Sequence, residues 1–158
     1  MKADFDDIDL KILAILQKNT DGTTQDVAEQ VGVSTNACWR RMRALQQNGT
    51  VMNRVALLNP AALGCGLSVF AKARPLALPA KPLREMEIAA NQIDALAEMH
   101  RIAGAGYYRL RIRAADIVHY DAITREIETG LGLEVFEAEF SVEQIKYTTS
   151  IPLPPATG

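Results

Sequence analysis

The amino-acid sequence predicts an α+β protein of two domains: three helices, then a sandwich whose elements follow the order β-α-β-β-α-β. Three observations indicate this fold. Apolar residues recur at helical spacing in the first third of the chain, they alternate at strand spacing in later segments, and "NPAALG" interrupts the pattern near residue 60 with Pro and Gly. We therefore assign residues 1–60 to a helical domain and residues 61–158 to the sandwich.

The composition excludes several classes of protein. Apolar residues make up 48% of the chain and charged residues 23%, as in a folded globular protein. No apolar run approaches the ~18 residues that cross a bilayer, and the acidic start "MKADFDDIDL" is unlike a signal peptide, so we expect a cytoplasmic protein with no membrane partner. Cys38 and Cys65 form neither a metal-binding cluster nor a disulfide framework, so we expect no metal and no cofactor.

The first two helices follow from apolar spacing and capping residues. A helix over about residues 6–18 places apolar side chains at i, i+4, i+7 and i+8, namely Ile8, Ile12, Ile15 and Leu16. Thr23 or Thr24 can cap a second, shorter helix, and Gly32 can close it.

The third helix is predicted to begin after Ser34, whose hydroxyl can cap it. Cys38, Met42 and Leu45 share one face of this helix, and that face must be buried. Two helices joined by the tight turn "VGV" are typical of a helix-turn-helix, and "TVMNRVALLNP" at residues 50–60 predicts a strand after it. The first domain is therefore predicted to be a winged or simple helix-turn-helix with a hinge strand.

Charge is distributed unevenly along the chain. The net charge is −2, but residues 1–33 carry −4, whereas residues 34–54 carry four arginines and no acid. A basic helix is often only a solvated surface. Here the tight turn, the serine cap, polar residues at the helix start and the arginines behind them occur in the order that a helix docked in the major groove needs. We therefore expect double-stranded DNA as a partner.

The third helix supplies the candidate DNA-binding residues, which are Ser34, Thr35, Asn36, Trp39, Arg40 and Arg43. Thr35 and Asn36 are candidates for reading base edges, because they lie at the start of the helix and Asn can pair with adenine. Arg40 and Arg43 are candidates for contacts to phosphate or guanine.

Three other side chains of this region have structural interpretations as well. Ser34 is expected to be a helix cap first and a phosphate contact second. Trp39 is expected to pack, with one edge against the DNA backbone. Arg41 precedes the inward-facing Met42 and is expected to brace the helix against an acid of the first helix.

In the second domain, alternating segments predict strands and periodic apolar segments predict helices. The strands are predicted within "GLSVFAKAR", "ALAEMHRIA", "YYRLRIRA" and "VFEAEFSV". Pro82 is expected at the first position of one helix. Asp116 is expected to cap the other helix, on which Ile117 would face inward. This order is the split βαβ arrangement of a ferredoxin-like sandwich.

Alternation also assigns strand side chains to the two faces of the sheet. On the fourth strand, Phe136 is expected on the face covered by helices and Val135 on the open face. The open face would also carry the residues Arg109, Arg111, Glu137 and Glu139. In a two-fold symmetric homodimer, these arginines of one chain can meet the acids of the other, and the alternative is a pair of solvated strand faces.

Five segments in register carry a family resemblance: "DDIDLKILAILQKNT", "VAEQVGVSTNACWRRMRALQQNGTV", "LNPAALG", "GAGYYRLRIRAADIVHYDAI" and "IKYTTSIPL". Over essentially its whole length the chain resembles the Lrp/AsnC family of transcription regulators. The resemblance implies a nucleoid-associated, DNA-binding homodimer, often assembled into tetramers or octamers. It also implies that the second domain binds a small effector, commonly an amino acid, at interfaces between sandwiches.

The effector site implied by this resemblance includes the turn between the second and third strands, at Gly104, Ala105, Gly106 and Tyr107. Glycine leaves backbone amides accessible, which suits binding of a carboxylate. Family members commonly carry Asp where this sequence has Tyr107. The aromatic face and hydroxyl of Tyr107 favour either a cation–π contact with the effector's ammonium group or an aromatic or less cationic effector. The alternative is a plain hairpin turn with Tyr107 at an interface.

Two other functions are left open by the sequence. Sirohaem decarboxylases are enzymes similar to this family that bind a tetrapyrrole, and on that interpretation His119, Arg109 and Arg111 would matter. The intact basic helix argues against it, because such an enzyme has no need of that helix. A nucleoid-packing protein without an effector is the other alternative, and only ligand binding separates it from a sensor.

Overall fold

A computed structural model describes residues 5–19, 21–78 and 80–156 of the chain. The chain forms two compact units, of which the first extends to Leu57 and takes up the chain again at Lys146, and the second is Leu58–Ile145. The C-terminal segment, which the sequence-based division placed in the second domain, therefore lies in the first unit. Among the described residues, no helix has both the length and the apolar character needed to cross a membrane.

The first unit contains three helices, and each begins where a side chain caps it. They are α1 (Asp7–Leu16), α2 (Thr24–Val31) and α3 (Thr35–Gln47). Asp6 caps α1, Thr23 caps α2 as half of a capping box with Asp26, and Ser34 caps α3. Gly32 ends α2 with a φ of 75°, a left-handed conformation that glycine adopts without strain. The predicted helix-turn-helix is confirmed.

The core of the first unit consists of the apolar faces of the three helices. Its buried members include Ile12, Val27, Cys38 and Leu45. Leu153 from the C-terminal segment also packs against this core. Two hydrogen bonds hold that segment to the end of α1: the Ser150 hydroxyl donates to the Gln17 carbonyl over 3.2 Å, and the Ile151 amide donates to the Gln17 side chain over 3.0 Å.

The strand predicted over residues 50–60 is wrong for this single chain. Residues 52–59 form neither helix nor strand, and Met52, Val55, Leu57 and Leu58 expose most of their apolar surface. A strand exists only where another strand supplies hydrogen bonds, and local composition does not reveal whether one is present.

The second unit has the predicted β-α-β-β-α-β order. Its elements are β1 (Leu67–Pro75), α4 (Leu83–Ala90), β2 (Leu96–Arg101), β3 (Tyr108–Ala114), α5 (Ile117–Leu131) and β4 (Leu133–Ser141). The strands form one antiparallel sheet in the order β2-β3-β1-β4. Side chains of α4 and α5 pack on one face of this sheet around Val69, Leu110, Ile112 and Ile127.

Two details of the helices differ from expectation. Pro82 occupies the N-cap position rather than the first helical position of α4. Asp116 caps α5 as predicted, but Ile117 is 67% exposed, because it lies in the first turn of the helix, and Ile123 is buried in the sheet-facing core instead. Helical spacing predicts which side chains align, but it does not predict how far along the helix the sheet extends.

A β-bulge changes which side chains of β4 lie on each face of the sheet. Ala73 of β1 pairs with Val135 while its neighbour Lys72 pairs with Glu137, so Phe136 is the extra residue. Val135 therefore packs against the core and Phe136 lies with Arg74 and Tyr107 on the open face, which reverses the assignment from simple alternation. Glu137 and Glu139 lie on the open face as predicted, because alternation resumes after the bulge.

Candidate functional site

The surface of α3 opposite its buried face carries four polar side chains at helical spacing. They are Asn36, Arg40, Arg43 and Gln47, all exposed, and we call this surface the α3 polar face. The spacing i, i+4, i+7, i+11 places them along one line of the helix. Gln47 was missing from the sequence-based set, although the same spacing, continued one more turn past Arg43, indicates it.

The arginines of α3 fall into two kinds. Within residues 5–19, 21–78 and 80–156, neither Arg40 nor Arg43 has a carboxylate partner. Arg41, in contrast, contacts Asp9 at 2.8 Å and Asp6 at 2.7 Å from one guanidinium nitrogen. These hydrogen bonds, to Asp9 and then to Asp6, raise the pKa of Arg41. The prediction that Arg41 braces α3 against α1 is confirmed.

The N-terminal end of α3 presents small polar groups. The Ser34 hydroxyl accepts a hydrogen bond from the amide of Ala37 over 3.3 Å, which confirms its capping role. Ser34, Thr35 and Asn36 are all exposed. The positive end of the helix dipole and these side chains form a surface that is suited to an anionic backbone, and their individual contacts to DNA stay predictions.

Trp39 lies on α3 beside the polar face and is 51% exposed. The guanidinium carbon of Arg43 lies 5.2 Å from the centre of its ring, within the range of a cation–π contact. The structure therefore gives Trp39 a packing partner in Arg43, whereas its predicted contact with the DNA backbone stays a prediction.

The turn between β2 and β3 is an exposed loop built on two left-handed glycines. Gly104 has a φ of 76° and Gly106 a φ of 68°, and a side chain added at either one would meet no atom within 4 Å. The Ile102 amide donates to the Tyr107 carbonyl over 3.1 Å and closes the loop. Ala105 is exposed between the two glycines.

Tyr107 is turned onto the open face of the sheet and is already in contact there. Its ring meets Phe136 edge-on at 6.2 Å, and the Lys72 ammonium lies 5.7 Å from the ring centre. The ring face that could bind an effector's ammonium group therefore already has the Lys72 ammonium of the same chain beside it. Phe136 reaches this cluster only because of the β-bulge.

The charged residues of the open sheet face pair across neighbouring strands. Lys72 contacts Glu137 at 2.6 Å, and Arg111 contacts Glu98 at 2.6 Å. The hydrogen bond from Arg111 lowers the pKa of Glu98, and the one to Glu137 raises the pKa of Lys72. Arg109 lies between His100 and Lys72 in the register of the sheet. Two of the four residues expected to meet between two chains, Arg111 and Glu137, thus have partners within one chain.

Comparison with known proteins supplies the decisive observation. Residues 5–46 match the model of the AsnC-type helix-turn-helix domain, and residues 72–151 match that of the Lrp/AsnC ligand binding domain. The chain belongs to the Lrp/AsnC family. It is a DNA-binding transcriptional regulator of the Lrp/AsnC type, in agreement with the resemblance seen in the sequence.

Relatives of this Lrp/AsnC regulator align along almost its full length. The glutamate uptake regulatory protein of Zymomonas mobilis is 36% identical over 150 residues, covering 95% of this chain and 92% of that protein. The DNA-binding transcriptional activator DecR of Escherichia coli is 32% identical and covers 94% of this chain and 99% of its own. Both proteins are named as regulators.

Solved structures agree with the fold. An AsnC family transcriptional regulator from Agrobacterium tumefaciens superposes with a TM-score of 0.82 at 33% identity, covering 94% of this chain and 97% of that one. A feast or famine regulatory protein from Mycobacterium tuberculosis complexed with L-methionine gives a TM-score of 0.84 at 26% identity, covering 94% and 99%. A Neisseria meningitidis regulator in complex with L-Met gives 0.80 at 27% identity, covering 94% and 96%.

The residues that would matter in a decarboxylase are not brought together in this Lrp/AsnC chain. The His119 ring nitrogen Nδ1 accepts a hydrogen bond from the Ala115 amide over 3.2 Å, as part of the N-terminal turn of α5. That helix packs on the core face of the sheet, whereas Arg109 and Arg111 alternate with the buried Leu110 and so lie on the opposite face. His119 and the two arginines therefore lie on opposite sides of the sheet.

Proposed function

We propose that the chain recognises a near-palindromic DNA site through the α3 polar face, acting at the nucleoid in the cytoplasm. The observation that carries this proposal is the pair of exposed arginines, Arg40 and Arg43, which have no carboxylate partner within the described parts of the chain. Exposed cations without partners are available to phosphate or guanine, and Asn36 beside them is available to adenine. Ser34, Thr35 and Trp39 flank this surface.

The test is selection of genomic fragments that the purified chain binds, followed by footprinting of the enriched site. A two-fold repeat with half-sites one helical turn apart, or a multiple of it, supports a symmetric homodimer, tetramer or octamer. Fragments without a shared motif, bound with equal affinity, would instead support a nucleoid-packing protein.

We further propose that the second unit binds an amino acid or a related metabolite at the loop of Gly104, Ala105 and Gly106. Two structural neighbours were solved with L-methionine, which makes an amino acid the first class of ligand to test. We infer that backbone amides of this exposed loop can bind a carboxylate, because its two glycines are left-handed and carry no side chain that would cover them. Because Tyr107 contacts Lys72 and Phe136, we assign it the wall of such a site rather than the binding of an ammonium group.

Calorimetry with L-methionine and the other standard amino acids tests this site, with sedimentation to follow assembly. Gly104→Leu is expected to abolish the heat of binding and leave effector-free DNA binding intact. Gly64→Leu is the matched control, since Gly64 has a φ of 71°, no atom within 4 Å of an added side chain and a position outside the loop. Equal loss in both variants would indicate backbone strain instead of a ligand site.

We also propose that the open sheet face is the homodimer interface, with Arg109, Arg111, Glu137 and Glu139 near its two-fold axis. Aromatic rings interleaved with charges, at Phe70 and Phe136, leave apolar surface exposed on a face that helices do not cover. In an isologous contact, the ion pairs within each chain can be shared with the partner. We propose no catalytic step for this chain.

A further inference from the structure

Trp39 is the sole tryptophan of the chain and a large side chain left half exposed at 51%. It is absent from the apolar residues that form or flank the core of the first unit, as far as the structure describes that unit. Its position is therefore not explained by burial. The explanation has to come from what its ring contacts.

The ring contacts Arg43, which lies one helical turn further along α3 at 5.2 Å from the ring centre. Side chains four residues apart lie next to each other on a helix, so this contact follows from local geometry. Arg40, the other arginine of the α3 polar face, has no aromatic ring beside it among the described residues. Two arginines on one surface thus differ in one respect, and each serves as a control for the other.

We propose that Trp39 is a positioning residue that holds the guanidinium of Arg43 in the orientation in which it meets DNA. This inference rests on the proposed function of the α3 polar face. A free arginine side chain samples many rotamers, and restricting them before binding lowers the entropy lost on binding. A guanidinium held against an indole ring retains N–H groups that can donate to a phosphate or to the edge of a guanine.

Exclusion of water by bound DNA strengthens this contact. A cation–π pair at an exposed site has a modest effect, and the effect grows when the pair is desolvated. Loss of the ring should therefore weaken DNA binding about three- to tenfold through Arg43 alone. Trp39 acts on sequence recognition without itself reading a base.

The test is a double-mutant cycle measured by DNA-binding titration with the site found by selection. Trp39→Leu should weaken binding about three- to tenfold in the unsubstituted chain and by the same factor in Arg40→Ala, but should have little further effect in Arg43→Ala. Trp39→Leu and Arg43→Ala should also change the same second property of binding. If Arg43 contacts a guanine, both variants should relax the sequence preference at that base pair; if it contacts a phosphate, both should lower the logarithmic salt slope. Equal weakening in the Arg43→Ala and Arg40→Ala backgrounds would overturn the inference, because it would mean that Trp39 touches DNA directly.

A measurement without DNA separates this inference from the proposed function. Because the chain has one tryptophan, its fluorescence reports on this environment alone. Arg43→Ala should change the emission of the free protein and Arg40→Ala should not; unchanged emission in both variants would refute the contact. If Trp39→Leu lowers the melting temperature, Trp39→Phe keeps an aromatic ring and should retain most of the affinity. A chain that binds no DNA site refutes the proposed function and the positioning role together.

Discussion

Two arginine-bearing surfaces of the chain, the α3 polar face and the open face of the sheet, differ in how their charges are arranged. On α3, Arg40 and Arg43 have no acidic partner in the described structure, whereas Arg41 contacts the carboxylates of Asp6 and Asp9. On the sheet, Arg111 and Lys72 each contact an acid on the next strand. The first surface attracts an external anion, whereas the second is close to neutral as a whole.

This difference follows from the geometry of the two kinds of element. The nearest neighbours of an exposed helical side chain lie three or four residues away along the same helix, so a sequence without acids in residues 34–54 leaves Arg40 and Arg43 without acidic neighbours on α3. A sheet sets side chains of adjacent strands about 5 Å apart, so oppositely charged residues distant in sequence become partners. A count of arginines therefore does not identify a DNA-binding surface, whereas the presence or absence of acidic partners does.

We expect the largest effect from removing the two arginines of the α3 polar face. Arg40→Ala combined with Arg43→Ala should weaken specific DNA binding by on the order of a hundredfold, and each lost phosphate contact should lower the logarithmic salt slope by about one unit. Arg84→Ala with Arg125→Ala removes the same charge from exposed positions on α4 and α5 and serves as the control. Equal weakening in the two double variants would show that net charge, and not this surface, determines affinity.

A second prediction concerns the sheet face. Reversing charge with Arg109→Glu and Arg111→Glu should weaken homodimer formation about tenfold or more. The change places a carboxylate beside Glu98, the partner of Arg111, and removes positive charges that would face the acids of the other chain in the proposed interface. Light scattering and sedimentation at low concentration measure the mass, with Arg84→Glu and Arg125→Glu as the matched charge reversal. An unchanged mass would exclude this face as the dimer interface.

A third prediction asks whether the first unit depends on the C-terminal segment. Leu153→Ala removes a half-buried side chain packed against the helix-turn-helix core and should lower the free energy of unfolding by about 1–2 kcal/mol. Leu78→Ala removes the same atoms from a side chain that is 88% exposed and should have almost no effect. Urea unfolding followed by circular dichroism measures both, and equal stability of the two variants would contradict the packing role of the segment.

We expect the smallest effect from removing the negative charge of Asp6, which contacts Arg41 of α3. The amide of Asp9, and then the guanidinium of Arg41, hold the pKa of Asp6 below its usual value of 3.8. A lowered folded pKa contributes stability above pH 3.8, and that contribution is lost as the pH falls through the folded value. Asp6→Asn keeps a good helix cap without the charge, so its thermal stability should fall less between pH 5 and 2, about the range where carboxylates titrate.

DNA binding at neutral pH provides the contrasting readout for that variant. Because Arg41 contacts α1 and does not belong to the α3 polar face, affinity of Asp6→Asn for the selected site should match that of the unsubstituted chain. A loss of affinity comparable to that of Arg43→Ala would mean that the ion pairs of Arg41 orient α3 for DNA, and the division between paired and unpaired arginines would then need revision.

The sequence by itself was sufficient for the features that depend on residues close together in the chain. Caps at Ser34 and Asp116, the left-handed end of α2 at Gly32, and the buried face of α3 all follow from interactions within a few residues. Alternation correctly placed Arg109 and Arg111 on the open face of the sheet for the same reason. The α3 polar face also follows from helical spacing, and the same spacing indicates Gln47, which the sequence-based set omitted.

Features that join distant parts of the chain depend on how the elements pack together, and sequence patterns did not predict them. The bulge at Phe136 depends on how β4 pairs with β1, and the contact of Arg111 with Glu98 depends on strand order. Leu153 packs against helices from which it is separated by more than a hundred residues in sequence. The predicted strand over residues 50–60 was wrong because strand formation requires a partner that composition does not specify. Local propensity constrains each element, whereas register and burial depend on the free energy of the whole packed chain.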